Sequence, residues 1–330
     1  MTEHTRRLNR RQFQSALAGG IGALAAWPAS QALAQEGGKP IKIIIPFATG
    51  GSNDIVGRVL AQQLSIRLKR SVVVDNVLGG GGSIGAANAA RAEPDGNTLL
   101  LISSTFTMNS AVMKLPFDPV KSFTPIAMLG MGPSVVVANA AFPPNSMKEL
   151  IEYSKKNRGT VNFSTSGAAS FQHFAVELIK TKTGADFTLV HYKGGGPALN
   201  DVAAGHVQAT LGSYIQMQPM LQAGKVKLLG VASAKRVDLI PDVPTLKEGG
   251  IDVEVGNWWG LLAPANTPTA LVESLNKEVN AVLTSPDIKK RLAGEGADPT
   301  PMSRADFARL MAEETQRWAV VAKQTAIKVD

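Results

Sequence analysis

The chain has 330 residues, 44% of them hydrophobic, which is long enough for two domains with buried cores. It has no cysteine, which excludes disulfides, thiolate catalysis and Cys-ligated zinc. The formal charge of +8 comes without a Lys/Arg block and with only 5% aromatic residues, so nucleic-acid binding has little support, whereas attraction of small anions is compatible with it.

Residues 1–34 read as an export signal. Arg10-Arg11-Gln12-Phe13 places a twin arginine before an Ala/Gly-rich run from Ala16 to Trp27, and Ala32-Leu33-Ala34 offers a small-x-small cleavage site ahead of Gln35. The run is too short and glycine-rich for a spanning helix. Twin-arginine (Tat) export with cleavage near Ala34 is therefore expected, giving a periplasmic protein. Without those residues Lys plus Arg falls to 30 and Asp plus Glu to 25, a net charge of +5.

Ile41–Ile45 is apolar and β-branched, as in a strand buried on both faces. Pro46 ends it, Gly50-Gly51 allow a turn, and Ser52 is placed to cap a helix from Asn53 with Ile55, Val59, Leu60 and Leu64 at helical spacing. A strand, a glycine turn and a helix N-terminus present free N–H groups and a positive dipole end to an anion. An ordinary βα connection has the same signature. Asp54 in the first turn suits the helix dipole. Ser71–Asn76 predicts a second strand, Ser83–Ala90 a small-residue helix after Gly79–Gly82, and Thr98–Ser103 a third strand. Such βα units make a parallel sheet with helices on its faces, and Ser103-Ser104-Thr105 falls at the strand end where ligands of open α/β sheets collect.

A second alternating series begins with a strand at Ser134–Ala138. Helices are predicted over Met147–Asn157, Gln172–Lys182 (Phe174, Leu178 and Ile179 on one face) and Pro197–Ala204, with extended segments at Val161–Ser164, Phe187–Tyr192, Gln208–Leu211 and Val226–Ala232. Trp258–Ala263 is placed to return the chain to the first sheet. Thr269–Thr284, Pro286–Ala293 and Ser303–Lys323 end it with helices, the last carrying a core stripe of Phe307, Leu310, Met311, Thr315 and Trp318.

Enzyme chemistry has two weak signatures. Gly80 to Gly85 matches G-x-G-x-x-G, but the next strand ends in Ser103-Ser104 where a dinucleotide site wants an acid. Gly81 to Gly85 also matches G-x-S-x-G around Ser83, a cheap match among four successive glycines. His173, His191 and His206 form no metal-binding spacing. His173, near the start of the helix after Ser164–Ala169, is placed where it could face a cleft.

Several segments resemble the periplasmic solute-binding receptors of tripartite tricarboxylate transporters, the Bug family. They are PFATGGSNDIVGR (Pro46–Arg58), LGGGGSIGA (Leu78–Ala86), EPDGNTLL (Glu93–Leu100), YKGGGPALNDVAAGHV (Tyr192–Val207), IPDVPTLKEGGID (Ile240–Asp252) and NWWGLLAP (Asn257–Pro264). The resemblance runs from about Lys39 to the C-terminus. It implies an α/β fold, a two-lobed type II periplasmic-binding-protein clamshell with a hinge of two crossing segments. Lobe 1 would be 35–135 with 257–330, and lobe 2 would be 136–256. It further implies a monomeric, non-enzymatic receptor without cofactor. Its partners would be a small organic acid and the permease subunits of the inner membrane; a receptor serving a sensor protein is the variant reading. By position, the ligand loops become Ala48, Thr49, Gly50, Gly51 and Asn53 in lobe 1 and Ser164, Ser166, Gly167, Ala168 and Ala169 in lobe 2. Ser104, Thr105, His173, Lys193, Gly194, Gly195 and Ser213 complete the cleft. Family members often carry an Asp after the strand that ends near Leu211. This chain has Ser213-Tyr214 there, which argues against recognition of a ligand amino group and suggests a flatter or aromatic acid beside Tyr214.

Overall fold

The computed structural model describes residues 38–325 and 327, so the expected export signal and its cleavage site lie outside the described residues. From Lys39 onward the chain folds as one unit around two sheets. β1 (Ile41–Ile45) leads into α1 (Ser52–Leu68), followed by β2 (Val72–Asn76), a 3-10 turn at Gly80–Gly82, α2 (Ser83–Ala90), β3 (Thr98–Ser103), α3 (Ser104–Val112) and β4 (Phe123–Gly132). Only Pro133 separates β4 from β5 (Ser134–Asn139), the first strand of the second sheet. Then come α4 (Met147–Lys156), β6 (Asn162–Thr165), α5 (Phe171–Thr183), β7 (Thr188–His191), α6 (Gly195–Ala204), β8 (Ala209–Ser213), α7 (Tyr214–Gln222) and β9 (Val226–Val231). β10 (Asn257–Pro264) returns to the first sheet, and α8 (Thr269–Thr284), α9 (Pro286–Gly294) and α10 (Arg304–Thr325) follow.

The sheets share one plan. The first has the order β2-β1-β3-β10-β4 and the second β7-β6-β8-β5-β9. In each, a parallel trio is extended by an antiparallel strand, β10 or β5, that begins where the chain enters that lobe. Helices cover both faces, which is why the strands are unbroken apolar runs. Ile43, Ile45, Leu99 and Leu101 pack under α1, α8 and α9, whereas Ile44, Leu100 and Ile102 face α2, α3 and α10. The last helix serves both lobes. Its Phe307 and Met311 lie in the core of the first, and Trp318 and Ala322 lie in the core of the second. Among the described residues no helix is long and apolar enough to cross a membrane.

Most predicted elements form within a few residues of their expected ends, and Trp258–Ala263 does rejoin the first sheet. Three features differ. Ser52 is not the cap of α1; Gly51 takes that position without a side-chain bond, and Ser52 Oγ accepts the indole N–H of Trp259 at 3.3 Å. β4 and α3 had no sequence signature. β4 contains Pro125, which is tolerated because β4 is an edge strand. α3 starts Ser-Thr-Phe-Thr, a poor helix opening by propensity that places hydroxyls at the end of β3.

Candidate ligand-binding cleft

Five helices begin at the carboxyl ends of strands that face one another across the two lobes: α1 after β1, α3 after β3, α5 after β6, α6 after β7 and α7 after β8. Between them lies a small cavity of about 20 Å³. Its lining is Phe47, Gly51, Ser52, Asn53, Ser103 and Thr105 from the first lobe, Ser166, Phe171, Gln172, Gly195 and Gln216 from the second, and Asn257 at the crossing. Not one of these side chains is charged. Most belong to the first turn of a helix or to its cap, where backbone N–H groups lack intrahelical partners. Among the described residues no protein acceptor takes the N–H of Ser52, Asn53 or Gly195. The dipoles of five helices point their positive ends at this space, which makes it a site for negative charge.

The polar side chains around the cavity are mutually fixed. Ser166 Oγ donates to Gln172 Oε1 at 2.7 Å, Gln216 Nε2 donates to the Gly195 carbonyl at 2.8 Å, and Asn53 Nδ2 donates to Ser103 Oγ at 3.4 Å. The lobes are joined directly. The Phe171 N–H donates to Thr105 Oγ1 at 3.1 Å, and the Ala48 N–H to the Lys193 carbonyl at 3.0 Å. At the crossing, Asn257 accepts from the Ser104 hydroxyl at 2.6 Å and donates to Ser213 Oγ at 2.9 Å, so it bridges both lobes.

Glycines make this closed contact possible. A Cβ on Gly196 would lie 2.1 Å from the Thr49 carbonyl oxygen, one on Gly194 2.7 Å from the Ala48 nitrogen, and one on Gly81 2.6 Å from the Ala168 carbonyl oxygen. The glycine run that offered an enzyme loop is therefore part of the seam between lobes. Beside it, a second opening of about 160 Å³ is lined by Gly79–Gly82, Ser166, Gly167, Ala168, His191, Tyr192 and Lys193.

Asp54 shapes the first loop from below. Its carboxylate accepts the Gly50 N–H at 3.1 Å, Arg58 Nε at 2.9 Å and Asn76 Nδ2 at 3.1 Å. Burial pushes its pKa up, but the hydrogen bonds from Arg58, Gly50 and Asn76 outweigh burial and hold it below the usual carboxylate value.

Of the residues expected at the site, Gly51, Asn53, Thr105, Ser166 and Gly195 line the cavity. Gly167, Ala168 and Lys193 line the neighbouring opening. Ala48, Thr49, Gly50 and Gly194 lie along the seam. Ser104 and Ser213 are engaged with Asn257 at the crossing. Ser164 is fully buried, its hydroxyl on the Ala198 and Ala209 carbonyls at 3.2 and 3.4 Å. Ala169 and His173 sit behind the loop, bonded to each other. Tyr214 belongs to a second-lobe core cluster and abuts Gly296, so it does not line the cavity; the aromatic rings there are Phe47 and Phe171. Sequence reasoning passed over Phe47, Phe171, Gln172, Gln216 and Asn257, whereas Ser103, expected at a ligand-collecting strand end, and Ser52, within the expected first-lobe loop, do line the cavity. The sequence signal for Phe47 and Asn257 lay in the quoted segments PFATGGSND and NWWGLLAP that contain them.

A family model described as tripartite tricarboxylate transporter family receptor matches residues 56–327. The solved periplasmic binding protein BugD is 33% identical with a TM-score of 0.85, covering 88% of this chain and 98% of that one. A protein from R. palustris, Rpa4515, solved with adipate, is 32% identical with a TM-score of 0.85 over 92% of this chain and 99% of its own. MatC from Rhodopseudomonas palustris, solved with bound malate, is 33% identical with a TM-score of 0.82 over 86% and 98%. These structures share the two-lobed α/β clamshell. The chain belongs to the tripartite tricarboxylate transporter receptor family, the Bug proteins among them, whose members are periplasmic solute-binding proteins.

Proposed function

We propose that this protein captures a small organic carboxylate between its lobes in the periplasm, unchanged, and presents it to the permease subunits of a tripartite tricarboxylate transporter. The observation that carries the proposal is the uncharged cavity ringed by five helix N-termini, drawn from both lobes. Backbone N–H groups bind a carboxylate firmly without specifying what hangs from it. A ligand held from both sides stabilises only the closed form, so closure reports occupancy to a partner. Adipate and malate in the two R. palustris relatives are acids of this class.

Thermal-shift and calorimetric screening against adipate, malate and aromatic acids tests it. A ligand at about 100 times its Kd adds about 2.7 kcal/mol of stability and raises the melting temperature. Gly51 supplies the decisive pair of variants. A Cβ there meets Gly195 and Gly196 nitrogens at 3.6 and 3.7 Å, ordinary contact distances. Gly51→Ala is expected to bind normally. Gly51→Asp puts a carboxylate of the protein's own where the ligand's belongs and is expected to abolish binding. Unimpaired binding by Gly51→Asp, or recovery of a chemically altered acid by mass spectrometry, would overturn the proposal.

A further inference from the structure

The turn between β6 and α5 brings Ser166 to the cavity and Gly167 and Ala168 to the adjoining opening. Its backbone is unusual. Gly167 has φ 143°, and Ala169, which lacks glycine's freedom, is left-handed at φ 56°. A residue with a Cβ holds that conformation only when its surroundings enforce it. Here the Ala169 N–H donates to Nδ1 of His173 at 3.0 Å, and both residues are buried. An imidazole nitrogen accepts a hydrogen bond only when it carries no proton. At the other end of the turn, Thr165 Oγ1 accepts the Gly167 N–H at 3.3 Å and lies 2.7 Å from Nδ1 of His191. The two imidazoles are 4.8 Å apart between centres. Both ends of the turn are thus tied to one pair of rings.

We propose that His173 is a positioning residue for ligand capture: its neutral ring locks the 166–169 turn in the shape that lines the cleft, and protonation unlocks the turn and releases the acid. The inference rests on the carboxylate reading of the cleft. Burial, reinforced by His191, lowers the His173 pKa to about 4. From its own helix, Glu177 favours the proton and Lys180 opposes it, and those two are themselves paired at 2.7 Å. Of the other elements packed on α5, β8 and α3 carry no titratable side chain, and α10 presents Trp318, whose indole takes up Glu314. Because the folded value lies below the ordinary one near 6.5, the contribution of the neutral ring is complete above that value. It is lost as pH falls toward the folded one.

The test compares wild type, His173→Asn and His173→Leu at pH 7.5 and pH 5. It reads affinity for adipate and for malate by calorimetry, and protection of the Ala169 amide by hydrogen exchange corrected for pH. Asn places a non-titrating acceptor close to where Nδ1 sits. His173→Asn is expected to keep Ala169 protected at both pH values and to bind at pH 7.5 within about threefold of wild type. Wild type is expected to lose at least about tenfold more affinity than His173→Asn on acidification, as for a ring whose pKa returns toward its ordinary value once the turn is released. The Asn variant reports the titration of the acids themselves. His173→Leu is expected to melt cooperatively but to lose Ala169 protection and at least about tenfold in affinity already at pH 7.5. Parallel acid losses in wild type and His173→Asn, or full Ala169 protection in His173→Leu, would overturn the inference. If neither acid binds any form, Ala169 protection that follows the ring still supports the positioning role, and only the carboxylate reading falls.

Discussion

Gly196 is the residue on which closure turns most sharply. The atoms that a Cβ there would meet, the Thr49 carbonyl and the Gly50 backbone, belong to the opposite lobe. Gly196→Ala is therefore expected to leave each lobe folded, with little change in the unliganded melting curve, while weakening binding of any acid that the screen identifies by at least about tenfold, the low end of an overpacking penalty. Calorimetry beside solution scattering, which should show the wider open form, checks this. Asp54 gives a prediction of opposite kind. Its folded pKa is depressed, so its contribution to stability is present above the unfolded value and lost as pH falls through the folded one. Asp54→Asn is expected to lower the urea midpoint at pH 7, because the Arg58 and Asn76 donors lose their carboxylate, and to flatten the decline of stability as pH falls below the ordinary carboxylate value.

At the scale of elements, the strand that carries the chain back between lobes also holds them together. Asn257 opens β10 and is the bridge between Ser104 and Ser213, with all three side chains buried. Asn257→Leu strands two buried hydroxyls at once and is expected to cost about 2 to 4 kcal/mol, read by chemical denaturation. Elements with a local cause were legible in the sequence. β1, β3, α2 and α8 announce themselves by apolar runs, glycines and periodicity, and the turn into α1 follows from Gly50-Gly51. What was not legible depends on neighbours. β4 tolerates Pro125 because it lies at the edge of its sheet, where among the described residues no further strand pairs with it, and α3 packs between β3 and α10. Gln216 and Phe171 reach the cavity because α7 and α5 begin beside it, a fact about assembly that no spacing within either segment encodes. Tyr214 erred in the reverse sense, since the residue after β8 turns into the core.

For the whole molecule, α10 acts as a brace across the lobes. Trp318 packs edge-on against Phe174 with ring centres 5.5 Å apart, and its indole donates to Glu314 at 2.7 Å. Trp318→Ala is expected to cost about 3 to 5 kcal/mol. It should broaden the melting transition as the second lobe loosens from the first, which differential scanning calorimetry will detect. The absence of charged side chains from the cavity lining has a separate signature. Affinity for a bound acid should change less than about threefold between 50 mM and 500 mM salt, because buried donors are little screened. A steep salt dependence in calorimetric titrations would point to capture at an exposed basic patch instead.

The glycine seam bears finally on speed. When two rough surfaces come together, long side chains surrender their rotamers, and that loss opposes every closure. Here the meeting parts at Ala48–Gly51 and Gly194–Gly196 are almost bare backbone, with scarcely any torsions left to freeze. On the proposed capture of an acid, closing this seam would carry little entropic toll, leaving the balance between shut and open forms to the ligand's contacts and the turn beside them.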